Sequence, residues 1–336
     1  MNKTIISKYP SNIALVKYWG KYGNQLPKNA SLSMTLSKAV TEVKLELMEK
    51  TNSEIELAYF FEGEEKEDFK ERIVKYASAQ PEFDYLLKNY ALKINSTNSF
   101  PHSTGIASSA SAFAAIAAAL LSASAELDGD IFNREASRLS RLGSGSACRS
   151  FYGPYAVWGE LDGLDASSNE FAVPVLEVHE NFKNMRDAIL IVEDQPKKVS
   201  SSVGHGLMKD HPYAEARFVD ANKHCQEMLS TLKSGDFDKF ISITEREALS
   251  LHAMMMTSTD YYMLMKPKTI QVIDEIFEFR EQTGLPICFT LDAGPNVHLI
   301  YPESIEKEVK TFVETSLKKN TKSIIYDEIG FGGKTK

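Results

Sequence analysis

Three cysteines in 336 residues, Cys148, Cys225 and Cys288, are too few and too scattered for a disulfide framework, and no CxxC pair offers a zinc knuckle. They read as reduced, buried thiols of a cytosolic protein. Long apolar runs are missing too. The longest small-apolar stretch, residues 110–123, is too short and alanine-rich to span a bilayer. The opening MNKTIISKYPSN holds no apolar core of a signal peptide, so the expected location is cytoplasmic. Positive charge is in deficit: 38 Lys and Arg against 46 Asp and Glu give a net charge of −8, which argues against general nucleic-acid binding. It leaves room for a locally basic site for an anionic substrate. No Gly-Lys-Ser/Thr closes a glycine loop, so a Walker A motif is excluded. The histidines, among them His102, His205 and His298, have no metal-ligand spacing, and no residue is assigned to metal. Internal repeats and Pro/Gly-rich linkers are absent as well.

What is present is ordinary for a soluble protein, 43% hydrophobic and 25% charged residues, in a chain longer than one compact core usually takes. The stretch to about Met48 is β-rich, with TEVKLEL alternating polar and apolar residues. A strand, a turn at Gly63 and a helix through Ala77 follow, then a strand ending near Pro101. Helices are expected over Ser108–Leu121, Ile131–Leu142, Tyr213–Lys233, Asp236–Met255, Thr269–Thr283 and Ile305–Lys318. DAILIVEDQ reads as a buried strand, PICFTLDAGPNVHLIYP as two strands around a turn at Gly294–Pro295, and SIIYDEIGFGG as a closing strand. Strands and helices without strict βαβ alternation make the fold class α+β, with domains expected at 1–185 and 186–336.

Four segments carry chemistry. In PHSTGIASSASAFAAIAAALL, Gly105 and the serines precede an alanine-rich helix whose unpaired N–H groups suit phosphate; a serine-capped core helix is the bland alternative. In SNIALVKYWGKYGNQLPKNASLSMTL, a strand over 12–18 puts Asn12, Ala14, Val16 and Tyr18 on one face and Ile13, Leu15, Lys17 and Trp19 on the other. Lys17 is then either buried beside an anion or snorkelling off a strand end. In RLGSGSACRSFYG, Gly143, Ser144, Gly145 and Ser146 make a polar, flexible turn before Arg149, whose fork suits a carboxylate or phosphate. In FTLDAGPNVHLI, Asp292 stands at a strand end, poised for chemistry or capping its own turn. Arg72, Lys197, Lys198 and the Ser200–Ser202 tract are further phosphate candidates.

Taken together, NIALVKYWGK, LPKNASLSMTL, SFPHSTGIASSASAFA, GSGSACRSFYG and FTLDAGPN resemble the GHMP kinase superfamily, and within it the diphosphomevalonate decarboxylases, in order and approximate spacing over residues 12–296. KYWGK and GSGSACRS are the most specific to that branch; the serine-rich helix start is shared more widely. The resemblance implies a two-domain GHMP kinase fold, a ribosomal protein S5 domain 2-like N-terminal domain on a ferredoxin-like C-terminal domain, with the active site between them. It implies ATP and Mg²⁺, 3-phosphorylation of (R)-5-diphosphomevalonate, and loss of phosphate and CO₂ to give isopentenyl diphosphate.

Residue by residue, Asp292 matches the family's catalytic aspartate, Lys17 the cation beside it and Arg149 the contact to the substrate carboxylate. Asn12, Tyr18, Lys21, Arg72, Ser144, Gly145 and Ser146 match positions around the substrate and its diphosphate, with Ser200 and Ser201 as further carry-overs. Gly105, Ser108, Ser109 and Ser111 match the ATP loop. Pro154 stands where the family has a second glycine after FYG, Ala112 replaces a glycine after the serines, and His102, Ser103 and Thr104 depart from the commoner PTAAG. A homodimer is implied; nucleic-acid and membrane partners are not expected. Three outcomes stay open: this decarboxylase, a relative that takes the monophosphate or stops at the 3-phosphate, and a non-catalytic homologue.

Overall fold

A computed structural model describes residues 3–50, 52, 54–100, 108–195 and 201–336, apart from the side chains of Ser201 and Ser202. Its spine is the antiparallel pair of β1 (Lys3–Val16) and β4 (Ser31–Glu49), with the hairpin of β2 (Lys21–Tyr22) and β3 (Leu26–Pro27) between them. Then come β5 (Leu57–Phe61), β6 (Glu64–Glu65), α1 (Glu67–Ser78), α2 (Asp84–Asn89) and β7 (Tyr90–Asn98); β7 joins β4 antiparallel and β5 parallel. α3 (Ser108–Ser124) and α4 (Gly129–Gly143) follow, then β8 (Tyr155–Trp158) on β4 and β9 (Ala172–Pro174) on β8.

α3 lies across β1 and β4, and it is apolar all round because it is enclosed all round: Ala110 through Leu121 are buried without a break. Small side chains let neighbouring backbone come close. Gly143 ends α4 with its Cα against Phe113 of α3, where a Cβ would stand 2.0 Å from that ring.

The second sheet is fully antiparallel, in the order β11 (Cys288–Leu291), β12 (Val297–Pro302), β10 (Met185–Ile191), β13 (Ser323–Glu328). The short α5 (Ser201–Gly206), the long α6 (Ala214–Ser234) and α7 (Phe237–Thr257), α8 (Pro267–Thr283) and α9 (Glu306–Phe312) complete this half. α6 and α8 each stop at a left-handed glycine, Gly235 at φ +84° and Gly284 at φ +68°, a conformation that side chains resist. One apolar core runs between the sheets, joining Ile13, Leu32 and Met34 to Ile189, Met228 and Ile243, so the halves are packed rather than tethered. The α+β class expected from the sequence is the one observed, with two main sheets, each carrying its own helices. Cys148, Cys225 and Cys288 are all free and buried.

Four local expectations need correction. β1 ends at Val16, not at residue 18, and the register shifts between Pro10 and Asn12 and again between Ala14 and Val16, so strict two-face alternation fails. Both faces of its last six residues are covered, which is why the pattern carried so little alternation to read. Residues 145–151, expected to open as a flexible turn, form a 3₁₀ helix with Gly145 and Ala147 through Phe151 buried. The last predicted helix keeps α9 but continues as a π turn over Val313–Leu317. The closing strand stops at Glu328, and the chain crosses back as β14 (Lys334–Thr335) to pair with β1. That crossing is locked by Asp327, whose carboxylate accepts the amides of Ser37, Lys38 and Ala39 at 2.7–3.0 Å, where β4 bulges away from β1.

Candidate active site

Lys17 follows the end of β1 directly, and Asp292 follows the end of β11. Between the two halves, Lys17 Nζ donates to Asp292 Oδ1 at 3.1 Å. The lysine side chain is only 2% exposed and the aspartate 26%, so the pair is sealed on the lysine side and open on the carboxylate side. This resolves the sequence alternatives for Lys17: it is buried against an anion. Burial lowers its pKa, and the charges of Asp292 and Glu247 work against that effect. The turn carrying Asp292 is held by its own neighbours. Asn296 Oδ1 accepts the amides of Val192 and Glu193, Thr269 Oγ1 donates to Pro295 O, and His252 Nε2 lies 3.1 Å from Asp292 O.

Beneath Lys17 lies a group of charges the sequence reading missed. The fully buried Glu247 of α7 accepts the Lys17 amide at 2.9 Å, two guanidinium N–H groups of Arg217 at 2.6 and 3.2 Å, and bonds His224 Nδ1 at 2.6 Å. Burial opposes its charge, but Arg217, His224 and the amide outweigh burial and hold its pKa below the usual carboxylate range. Asn29 closes the other side by donating to Lys17 O at 3.0 Å. The backbone of Lys17 is thus gripped at both its N–H and its carbonyl. A signal did exist: Glu247 sits among Phe240, Ile243, Thr244 and Leu251 on the apolar stripe of α7, and Arg217 and His224 lie on that of α6 with Phe218, Ala221 and Met228. A charge on such a stripe needs a partner.

Arg149 is buried in the 3₁₀ helix. Nε donates to Asn12 Oδ1 at 3.2 Å and Nη1 to Ser31 Oγ at 2.6 Å, while Nη2 has no hydrogen-bond partner among the described residues. Asn12 in turn donates to Ser146 O and Ser150 Oγ. Gly145 lies where a Cβ would come within 2.9 Å of Tyr18 and Trp158, so the helix presses directly on the Tyr18 ring. Arg149, Asn12, Tyr18, Ser144, Gly145 and Ser146 therefore come together as expected.

On the other flank, Arg72 Nη2 donates to Gly143 O at 2.8 Å with its guanidinium over the Phe113 ring. Lys21 bonds Gln25 at 2.7 Å, and burial followed by the charge of Arg72 lowers its pKa. The two cations thus share one region, and among the described residues neither is ion-paired with a carboxylate. Ser109 Oγ lies 3.2 Å from Ser144 Oγ, which ties the start of α3 to the same wall, and Ser108 is partly exposed beside it. These two serines border a cleft of about 980 Å³ that also touches Arg72, Phe69 and Asn98 and is acidic at its far end, where Glu62, Glu64, Glu65, Glu67 and Asp68 line it with Lys66. Ser111 does not join them: it is fully buried, its hydroxyl 2.7 Å from Thr41 Oγ1, because it faces the sheet rather than the cleft. Gly105, His102, Ser103, Thr104, Lys197, Lys198 and Ser200, and the side chain of Ser201, lie outside the described residues.

The arrangement offers a carboxylate with an ammonium partner, a guanidinium with a spare N–H edge, and a cationic pair near a helix N-terminus. A sequence model of the diphosphomevalonate decarboxylase-like N-terminal domain matches residues 9–169, and one of the mevalonate 5-diphosphate decarboxylase C-terminal domain matches 188–329. The diphosphomevalonate decarboxylase of Ganoderma lucidum is 31% identical over 328 residues, covering 89% of this chain and 78% of its own. The chain belongs to the diphosphomevalonate decarboxylase family.

The Saccharomyces cerevisiae diphosphomevalonate decarboxylase agrees at 30% identity, covering 90% of this chain and 79% of its own. Among solved structures, mevalonate diphosphate decarboxylase from Staphylococcus aureus superposes with a TM-score of 0.86 at 29% identity, over 100% of this chain and 98% of that one. MDDEF in complex with MVAPP, AMPPCP and magnesium superposes with a TM-score of 0.85 at 25% identity, over 100% and 99%. For this member of the decarboxylase family, no helix among the described residues is long and apolar enough to cross a membrane. No three His, Cys, Asp or Glu side chains among them converge as a metal cage.

Proposed function

We propose that the protein catalyses the ATP-dependent decarboxylation of (R)-5-diphosphomevalonate to isopentenyl diphosphate, ADP, phosphate and CO₂. The observation that carries this reading is the Lys17–Asp292 pair at 3.1 Å with the spare edge of Arg149 beside it, in a chain of this family. A tertiary alcohol is a weak nucleophile and a worse leaving group. Asp292 accepts the proton of the 3-hydroxyl as that oxygen bonds to the terminal phosphorus of ATP and ADP departs. Lys17 neutralises negative charge gathering at the transferred group. The 3-phosphate then leaves with the C–O electron pair. The C–C bond to the carboxylate breaks, its electrons form the new double bond, and CO₂ is released.

Arg149 fixes the substrate carboxylate so that the breaking bond is aligned. Its existing bonds to Asn12 and Ser31 limit how much it can bind the carboxylate, which avoids stabilising the ground state more than the transition state. Tyr18, Lys21 and Arg72, with Ser144, Gly145 and Ser146, take the diphosphate end. Ser108 and Ser109 take ATP phosphates at the α3 N-terminus, with the base in the adjoining cleft. Mg²⁺ fits this donor set because it is usually carried by nucleotide phosphates with one or two protein oxygens rather than by a protein cage. The serine hydroxyls and Asp292 are the oxygens that would hold it, and it would screen charge on the phosphates. We divide the chain near the expected 185/186, just ahead of β10 so that Met185 goes with the second sheet, with the returning tail lent to the first domain, and place the protein as cytoplasmic and as a homodimer, the latter checked directly by sedimentation.

The test offers 5-diphosphomevalonate and 5-phosphomevalonate in parallel with Mg·ATP, measuring ADP and CO₂. One-for-one release with the diphosphate supports the reading. Preference for the monophosphate keeps the chemistry and changes the substrate. ADP without CO₂ makes the protein a kinase and removes Arg149 from the carboxylate role. No ADP with either leaves a non-catalytic homologue.

A further inference from the structure

His205 of α5 has no part in the site described above, yet it lies against it. Its ring packs on Tyr18 at 4.3 Å and on Trp19 at 4.5 Å between centroids. The Gly20 amide donates to its Nδ1 at 3.0 Å. A nitrogen that accepts a hydrogen bond carries no proton, so in the neutral ring the proton is on Nε2. Nε2 has no hydrogen-bond partner among the described residues, although the ring is mostly enclosed. The backbone has been shaped for this docking. A Cβ on Gly204 would come within 2.5 Å of Trp19 and of the Tyr262 hydroxyl, so only glycine lets α5 approach that closely.

The charge around the ring is one-sided. Burial and then the positive charge of Lys21 push its pKa well below that of a free imidazole. His205 therefore presents a directional N–H without adding a third positive charge to the Lys21 and Arg72 region. A third cation there would repel the other two in the free protein, whereas a neutral donor does not.

We propose that His205 is a further substrate-binding residue, donating its Nε2–H to the phosphate end of the substrate beside Tyr18, Lys21 and Arg72. The proposal rests on the reading that those three residues hold phosphate. It also gives α5 a purpose: His205 joins the segment that follows residues 196–200 to the Tyr18–Lys21 wall, so phosphate binding and the seating of α5 support each other.

The test compares His205→Phe, which keeps the ring stacking and removes both nitrogens, with His205→Gln, which keeps an N–H donor. For His205→Phe, KM for 5-diphosphomevalonate should rise about tenfold, with kcat within about twofold and KM for ATP unchanged. His205→Gln should recover part of that loss. A parental KM in His205→Phe overturns the proposal and leaves the ring as packing. So does a fall in kcat with KM unchanged.

Should the phenylalanine variant fail to fold, the wild-type protein carries the test through the ¹⁵N and proton signals of its histidine rings. Saturating inorganic pyrophosphate should shift the His205 Nε2–H signal, assigned by its loss in His205→Gln; an unmoved signal overturns the proposal. The two readings fail separately. Turnover of diphosphomevalonate with a silent ring and an unchanged KM defeats only the role of His205. A responsive ring in a protein that turns over no phosphorylated mevalonate defeats only the proposed reaction.

Discussion

Asp292 is a quarter exposed while its lysine partner is sealed, so the carboxylate is the member of the pair that can meet substrate. Replacing Asp292 by Ala should lower kcat by a factor of 10² to 10⁴, the range for loss of a positioned general base. The fold should persist by circular dichroism, with a lowered melting temperature because the buried Lys17 loses its anionic partner. Arg149→Lys should lose about tenfold or more in kcat/KM, because an ammonium cannot serve Asn12, Ser31 and a carboxylate at once; parental kinetics would remove the residue from the mechanism. Glu247 makes a stability prediction instead. Its folded pKa lies below its unfolded one, so the unfolded chain binds the extra proton first. Its contribution is complete above the ordinary carboxylate pKa of about 4.3 and is lost as pH falls from there through the folded value. Glu247→Ala strands Arg217 and His224 and should cost about 3–5 kcal/mol at neutral pH. Glu247→Gln should show a shallower loss of stability with acidification than the parent, read by urea melts at several pH values. Lys17, Arg149 and Asp292 were legible in the sequence because each belongs to a compact motif. For Glu247 the apolar stripe of α7 signalled only that a partner was needed; which partner was not legible, because Lys17 lies 230 positions away.

Among the elements, α3 and α4 show how packing fixes a binding group. Gly143→Ala places a Cβ 2.0 Å from the Phe113 ring, and overpacking of this kind costs about 1–3 kcal/mol. The Gly143 carbonyl also anchors Arg72. The substitution should therefore raise KM for the phosphorylated substrate while lowering the denaturation midpoint, and Phe113→Leu in the same chain should restore part of the stability but not KM, because Arg72 also rests on the Phe113 ring. A Gly143→Ala protein with parental stability would contradict the tight fit. Most elements could be read in advance because each has its own period: α6, α7 and α8 by apolar stripes, and β11 and β12 by apolar runs around a turn. The 3₁₀ helix over 145–151 could not. Its Gly-Ser composition is that of a loop, and only the wall of Tyr18, Trp158 and Asn12 makes burial of that backbone possible. β14 was hidden for a related reason: two residues carry no period, and their partner is at the other end of the chain.

Across the whole molecule, an acidic protein brings Lys17 and Arg149 together at the seam between its halves and pairs Lys21 with Arg72 on the flank of the first, and the sequence total of −8 conceals it. The seam stays closed because the core beneath it is continuous from one sheet to the other and because Asp327 and β14 bind the second half back to the first. The two-domain fold was expected from the resemblance; this lacing was not, since amide-to-carboxylate contacts between Ser37 and Asp327 leave no mark on composition.

The three enclosed thiols then act as built-in clocks. Burial pushes Cys148 up to about 12 and raises Cys225 and Cys288 as well, so a thiol reagent at neutral pH should meet a silent protein. Any labelling that does occur timestamps an opening event, with Cys148 reporting the floor under Ser146, Cys225 the helical layer and Cys288 the strand that leads to Asp292. Mass spectrometry of timed alkylation should show Cys148 slowed most when substrate and nucleotide are added together. Uniform slowing of all three would mean the molecule breathes as one piece.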